Sequence, residues 1–322
     1  MNKIKKAIVT GAAGFIGSNV VDMLLDKGWN VIGLDDFSTG NEKFIKNASN
    51  NNNFELINCD LLQPKQFEEY FHECDIIFHL AANADVRFGV EHPSKDLEQN
   101  TIVTFNVLEA MRKHNISKII FASTGAMYGE AKTFPTPEDT SIPVQTSLYG
   151  ASKLACESMI QAYCEGFDMQ TWIFRFVSIL GRRYSHGHVY DFYKQLRKDP
   201  QKLYVLGDGL QKKSYLHIDD CVSAIWTAIN KSNDKVNIFN LGASDYCQVK
   251  DSVKWIIKRL ELEPKISFSG GERGWIGDNP FVFLDTQRIR SLGWKQQYSI
   301  KESVEMTVDY LQENDWIFEF RK

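Results

Sequence analysis

The chain is 322 residues long, 43% hydrophobic and 24% charged, with a formal net charge of −4. That length and apolar content suit one or two well-cored globular domains, and the mild acidity gives no footing for nucleic-acid binding or attraction to an anionic membrane surface. The cysteines (59, 74, 156, 164, 221 and 247) form no Cys-x-x-Cys pair and no apolar run reaches membrane-spanning length, which reads as a cytoplasmic protein with reduced, packing cysteines and no membrane segment.

Met1 to Lys6 is basic like the start of a signal peptide, but a glycine turn cuts the following apolar run short, so Lys6-Ala-Ile-Val-Thr10 reads as a buried strand. It runs into Gly11-Ala-Ala-Gly14-Phe15-Ile16-Gly17 and a helical pattern from Ser18 to Lys27. Strand, glycine turn and helix together cradle a pyrophosphate: glycine lets the backbone approach, and the helix N-terminus offers N–H groups and a positive dipole end. The next apolar run, Asn30 to Leu34, ends in Asp35, where a carboxylate would accept from the hydroxyls of an adenosine ribose. Asp36 adds to the repulsion of a 2′-phosphate and no Arg stands nearby to receive one, so the expected cofactor is NAD and not NADP.

Further strands are predicted over 54–58, 75–79, 117–122 and 171–177, with helices over 15–27, 64–72, 93–113 and 147–165. This alternation predicts an α/β fold, a Rossmann-type doubly wound parallel sheet with helices on both faces. Asp60 follows the strand 54–58, where a helix N-cap is one role and a ligand contact another. Leu80, Ala81 and Ala82 follow the fourth strand, small enough to let a cofactor lie against the backbone. Ser123 and Thr124 end the fifth strand at the carboxyl edge, where ligands gather in open α/β sheets. In Ser147-Leu-Tyr-Gly-Ala-Ser-Lys153, Tyr149 and Lys153 share a helix face. A nearby ammonium lowers a phenol pKa that starts near ~10, which makes Tyr149 an acid/base at neutral pH.

After residue 180 the pattern is irregular, with helices near 188–198, 217–230 and 249–260, and Asn237 to Leu241 reads as another core strand. The predicted organisation is a nucleotide-binding domain from 1–180 and 213–250, with a smaller, discontinuous substrate domain from 181–212 and 251–322. The donor-rich loop Arg182 to Val189 is expected to form a pocket wall; its His186 and His188 have no Cys or carboxylate partner nearby, so no metal is expected.

The glycine turn and the Tyr149/Lys153 pair occur in order with Asp35-Asp-Phe-Ser-Thr-Gly-Asn41, Cys59-Asp-Leu61, His79-Leu-Ala-Ala-Asn83, Phe121 to Gly129 and Leu206-Gly-Asp-Gly209. Together they resemble the extended short-chain dehydrogenase/reductase family, in the nucleotide-sugar epimerase/dehydratase branch that includes the UDP-glucose 4-epimerases. The resemblance covers nearly the whole chain. It implies NAD-dependent epimerisation of a nucleotide-diphosphate sugar at C4 through a transient 4-keto sugar, within carbohydrate metabolism or polysaccharide biosynthesis. The same fold also serves NDP-sugar 4-dehydrogenases and ketosugar reductases. A non-enzymatic Rossmann redox sensor is a different class, and such proteins typically lose the Tyr and Lys that this chain keeps.

The resemblance implies roles residue by residue. Tyr149 is the acid/base; Lys153 holds its pKa down and binds the nicotinamide ribose; Thr124 carries the short proton path. Asp60 and Leu61 contact the adenine, and Asn100 and Ser123 support the cofactor side. Gly125 and Ala126 stand where 4,6-dehydratases carry Asp-Glu, so dehydration lacks its proton carriers. For the substrate, Arg273 and Lys213 would grip the diphosphate, Lys213 standing where Arg is usual, and Ser178 replaces a usual Asn. Aligning Asp278 and Pro280 puts Val282 at the gate over the sugar's C2 substituent, and a slip of one residue would turn Phe281 or Phe283 inward instead. A homodimer is expected through helices 93–113 and 147–165, where Ile102, Phe105, Leu108 and Glu109 against Leu154, Met159 and Tyr163 make apolar stripes larger than one sheet face needs.

Overall fold

Short strands rich in Val, Ile and Phe alternate with helices, and the computed structural model, which describes residues 5–83, 88–141 and 144–320, pairs them into one seven-stranded sheet and three small ones. The strands are β1 (Lys6–Thr10), β2 (Asn30–Asp35), β3 (Phe54–Asn58), β4 (Ile76–His79), β5 (Lys118–Thr124), β6 (Gln170–Phe176), β7 (Ser178–Leu180), β8 (Lys202–Val205), β9 (Lys212–Lys213), β10 (Tyr215–His217), β11 (Val236–Leu241), β12 (Cys247–Gln248), β13 (Lys265–Phe268) and β14 (Phe281–Val282). The helices used below are α1 (Phe15–Asp26), α2 (Phe88–Glu91), α3 (Pro93–Asp96), α4 (Val103–Lys113), α5 (Leu148–Gly166) and α6 (His188–Lys198).

The large sheet runs β11-β6-β5-β4-β1-β2-β3. The chain leaves β1 toward β2 and β3, then returns across it to β4, so the carboxyl ends of β1 and β4 flank the point where the winding reverses. Thr10 and His79 end those two strands in register, and open α/β sheets bind ligands at such a point. One face of this sheet buries Phe67, Phe71, Ile77, Ile119, Phe121 and Ile173 together with Val107 and Leu108 of α4 and Cys156 and Ile160 of α5. Leu108 is fully buried here, so it belongs to the core and not to the dimer-forming stripe expected from the sequence.

Where the pattern predicts one helix over 64–72, the chain makes two short 3₁₀ turns, Pro64–Gln66 and Glu68–Phe71. Phe67 departs from helical geometry at φ −135° between them, and its ring packs 5.7 Å from Phe71 inside the core. The helix predicted over 93–113 is continuous in outline but carries a π-helical stretch, Leu97–Ile102, between α3 and α4.

The chain divides into two compact units. The first comprises the residues up to Met127 with Ser147–Arg175 and Ile225–Phe239; the second comprises Tyr128–Thr146, Phe176–Ala224 and the residues from Asn240 onward. These limits differ from those drawn on the sequence at 180, 213 and 250. The segment after β6 turns away to pair β7 with β10, and β12 joins β9, which keeps 213–224 and 240–250 in the second unit.

A buried polar chain ties the first unit's centre. Thr10 Oγ1 lies 3.1 Å from the N–H groups of Leu80 and Ala81, which can only donate, so its own proton goes to His79 Nδ1 at 2.8 Å. Nε2 therefore carries the ring proton and donates to Thr104 Oγ1 at 3.0 Å, which in turn donates to Cys156 Sγ at 3.3 Å. Burial, with the Lys153 ammonium nearby, drives the His79 pKa down to about 3. A histidine depressed below its unfolded value stabilises the fold above that value and loses the contribution as pH falls, because the unfolded chain then binds the extra proton. In denaturant unfolding, the stability gap between wild type and His79→Gln is expected to narrow by about 2 kcal/mol from pH 7 to pH 5. A gap that does not change with pH would show that His79 is not held neutral.

Candidate active site

The glycine turn is fixed by close contacts. Gly11 has φ +68°, and a Cβ there would sit 2.9 Å from the Ala81 backbone; one on Gly17 would sit 1.9 Å from the Gly11 carbonyl oxygen. Both must be glycine. Gly14 is the N-cap of α1, with no side-chain cap and no acidic residue in the first turn, so Phe15, Ile16 and Gly17 open a helix whose positive end is left to a ligand. Asp35 is tied to the same turn: its two oxygens accept from Ala13 N and Phe37 N, each at 2.8 Å. Burial raises its pKa and those two N–H groups oppose the rise. Each oxygen keeps a lone pair for a ribose hydroxyl. Asp36 is engaged locally by Ser38 N and Oγ, at 2.9 and 2.6 Å. These features fit a dinucleotide.

Asp60 Oδ1 accepts from Leu62 N at 2.8 Å, so it closes a turn after β3. Leu61 is buried in the core, and its carbonyl accepts from Asn106 at 2.9 Å. Leu80, Ala81 and Ala82 are partly buried beyond β4, beside Gly11. Asn100 sits within the π-helical stretch, where its Oδ1 accepts from Asn83 N at 2.9 Å and its Nδ2 donates to Ser152 Oγ at 2.8 Å. It thus joins the loop after β4 to the residue preceding Lys153.

α5 starts at a Ser147 cap that accepts from Gly150 N at 3.0 Å, which sets Tyr149 in the first turn and Lys153 one turn later. Lys153 is 2% exposed; its Nζ donates to the Ala122 carbonyl at 2.8 Å and stands 4.7 Å over the Phe121 ring. Thr124 Oγ1 accepts from Ala126 N at 3.1 Å, and its hydroxyl acts on the Tyr149 phenol, lowering its pKa. Ser123 Oγ donates to Glu157 Oε1, and Arg175 holds the same carboxylate through Nη2 at 2.7 Å.

The acidities run against the phenolate expected from the sequence. Burial pushes the Tyr149 phenol up to about 12, with the Thr124 bond pulling the other way. Burial brings the Lys153 ammonium down to about 8. Loss of solvent, which residue spacing does not report, is the largest cause for both: at Tyr149 Asp96 and Cys156 add to the rise, and at Lys153 burial outweighs the anions around it.

Within the second unit, Lys213 is not an open cation: it pairs with Asp278 Oδ1 at 2.6 Å and with the Asn279 carbonyl. Arg273 pairs with Glu130 in an exposed contact. Ser178 is exposed at the start of β7. Val282 pairs in register with Lys213 and Phe281 with Lys212, so Val282 shares the face of Lys213. Phe281 and Phe283 lie on the other face, their rings 4.9 and 5.4 Å from that of Tyr246. Gly125 and Ala126 open a 3₁₀ turn with no carboxyl. His188 is partly buried, stacked on Tyr215, and shares a hydrogen with Ser252 Oγ at 2.8 Å; among the described residues no three side chains gather as metal ligands.

Two residues at this centre escaped the sequence motifs, Glu157 and Arg175. Glu157 lies one helical turn beyond Lys153, a spacing that points at it. Arg175 lies in an apolar strand and carries no such signal.

The profile of the NAD dependent epimerase/dehydratase family matches residues 7–242. A putative UDP-glucose 4-epimerase of Methanocaldococcus jannaschii is 32% identical, over 96% of this chain and 99% of that one. The UDP-glucose 4-epimerase of Thermotoga maritima, solved with UDP-glucose, superposes with a TM-score of 0.87 at 30% identity, covering 96% of this chain and 99% of that one. The UDP-glucuronic acid 4-epimerase of Bacillus cereus, solved with UDP-glucuronic acid and NAD, superposes at 0.88 with 26% identity, covering 96% and 99%. With its glycine turn, Tyr149/Lys153 helix and doubly wound sheet, this chain belongs to the NAD dependent epimerase/dehydratase family.

Proposed function

We propose that this protein epimerises a nucleotide-diphosphate sugar at C4 using NAD, in the cytoplasm, where its six buried thiols stay reduced. The observation that carries this is buried Lys153 one helical turn beyond Tyr149 on α5, with Thr124 at the end of β5 and no carboxyl at 125 and 126 to run an elimination. The first unit holds the nucleotide cofactor and the second holds the sugar nucleotide.

Gly11, Gly14, Phe15, Ile16 and Gly17 would hold the pyrophosphate of NAD, Asp35 and Asp36 its adenosine ribose, and Asp60 and Leu61 the adenine. Leu80, Ala81, Ala82, Asn100 and Ser123 would line its other half, with Tyr149 and Lys153 at the reacting end. When bound, NAD supplies the electron-pair acceptor and donor for C4 and, oxidised, a positive charge that favours the phenolate. Tyr149 then takes the proton of the C4 hydroxyl and later returns it, and Thr124 relays it over a hydroxyl-length path. Lys153 spends one donor on Ala122 and keeps two for ribose hydroxyls.

On the substrate side, Arg273 is the more available diphosphate ligand, because an exposed pair such as Arg273–Glu130 is worth under ~1 kcal/mol. Lys213 acts through its buried partner Asp278, fixing the segment that leads to Val282. Ser178 lies at the start of the same unit's β7. A second reading, NDP-sugar 4-dehydrogenase or ketosugar reductase, shares the first half-reaction.

Purified enzyme incubated with a panel of NDP-sugars is expected to invert C4 by NMR without net change in reduced-nicotinamide absorbance. Tyr149→Phe is expected to keep folding and NAD binding and to lose ~10²–10⁴-fold in turnover. Stoichiometric reduction of NAD would favour the dehydrogenase, and a variant that keeps a tenth of the activity would remove Tyr149 from its role.

The small Val282 supports a pocket with room for a 2-acetamido group. Val282→Tyr is expected to depress activity on N-acetylated NDP-sugars more than on their plain counterparts; an unchanged ratio would place the gate elsewhere. We also propose a homodimer through α4 and α5, supported by Ile102 and Phe105, 40% and 43% exposed, beside the Tyr163–Glu109 bond of 2.8 Å that ties the two helices. Light scattering at micromolar concentration is expected to return twice the chain mass, and a monomer would contradict the proposal.

A further inference from the structure

We propose that Glu157 is a positioning residue for the acid/base centre: with Arg175 it fixes the Ser123 hydroxyl at the end of β5 and provides the standing negative charge one helical turn from Lys153. The inference rests on the acid/base reading of Tyr149 and Lys153 given above.

The geometry gives Glu157 three tasks. Its carboxylate is held on both oxygens by Arg175, Nε at 3.1 and 3.2 Å and Nη2 at 2.7 Å, in a pair whose side chains are 8% and 1% exposed. That fork anchors α5 to β6. Oε1 also receives the only hydroxyl proton of Ser123. Ser123 can therefore meet a bound ligand only as an acceptor, and its neighbour Thr124 leaves the strand from a fixed point.

The third task is electrostatic. The groups acting on Lys153 are His79 from β4, Asp96 from α3, and Cys156 and Glu157 on its own helix, where Tyr149 lies one turn before it. His79 is held neutral, and burial raises both the Tyr149 phenol and the Cys156 thiol, so none of these three carries charge near pH 7. Glu157 and Asp96 remain as anions that raise the Lys153 pKa against the burial that lowers it. Asp96 is shared with Asn83 and Asn100, which donate to its Oδ1 at 2.9 and 3.3 Å. A buried ion pair seldom adds net stability over a packed apolar pair. Glu157 and Arg175 thus hold a charge and a donor acceptor polarity in place, as well as joining two elements.

The test reads Lys153 directly, by NMR titration of ¹³Cε-labelled lysine in the whole purified protein, and reads activity separately. Glu157→Gln is expected to move the Lys153 titration down by about one pH unit, and the alkaline limb of kcat/KM by the same interval. Glu157→Asp, which keeps the charge, is expected to restore most of the shift. Because Glu157→Gln leaves Arg175 uncompensated, the double variant Glu157→Gln with Arg175→Gln serves as the folding control; it should fold and still show the lowered titration. A Lys153 titration unmoved in the folded double variant overturns the proposal, as does one that moves equally in Glu157→Asp. Failure of the epimerase reading is distinguishable: the wild type would turn over no NDP-sugar while the Lys153 shift persisted.

Discussion

A lysine ammonium with almost no access to water governs the first unit. Lys153 reaches from α5 to one hydrogen bond with a strand carbonyl and an aromatic face. An isolated buried charge is costly, so its surroundings must answer it with acceptors, a π-face and anions. The surrounding polar groups make sense in those terms. Ala122 offers its carbonyl two residues before β5 ends, Glu157 and Asp96 supply charge, and His79 gives up its proton because a second cation at that depth has no partner.

The same region is where the sheet reverses its winding, and the two facts are connected. At the topological switch beyond β1 and β4, Gly11 can pass within contact of the Ala81 backbone because it brings no side chain. Thr10 then stitches the two strand ends by accepting from Leu80 and Ala81 and donating to His79. The polar chain continues through Thr104 to Cys156 on α5. The turn that would hold a pyrophosphate and the helix that carries Tyr149 and Lys153 are thus parts of one hydrogen-bonded body.

What could be read from the residues alone follows from the range over which each interaction acts. The glycine turn, Asp35 and the Tyr149/Lys153 spacing are local patterns, set by strand-turn-helix geometry and the helical repeat, and they stand out without coordinates. The seven-stranded sheet was legible for the same reason, strand by strand. Partners far apart in the chain were not. Nothing near Ser123 names Glu157, 34 positions away, and nothing near Lys213 names Asp278, 65 positions away. The acidities failed to follow because spacing reports the neighbouring charge and not the loss of water, which dominates both Tyr149 and Lys153. The segment 64–72 misled because Phe67 and Phe71 recur at a helical interval while the backbone breaks at Phe67 itself.

The direction of those acidities bears on how such a centre works. A phenol already ionised in the free protein would be a base at all times, exposed to protonation by any water that entered. A phenol held near 12 by burial is instead inert until positive charge arrives beside it. The Thr124 hydroxyl, which accepts from Ala126, pulls the phenol pKa the other way. Lys153, near 8, is charged at neutral pH with little margin, so small changes in the anions around it decide its state. In the proposed reaction, basicity at this centre is therefore conditional on what is bound, and the protein's part is to keep the surrounding charge fixed until then.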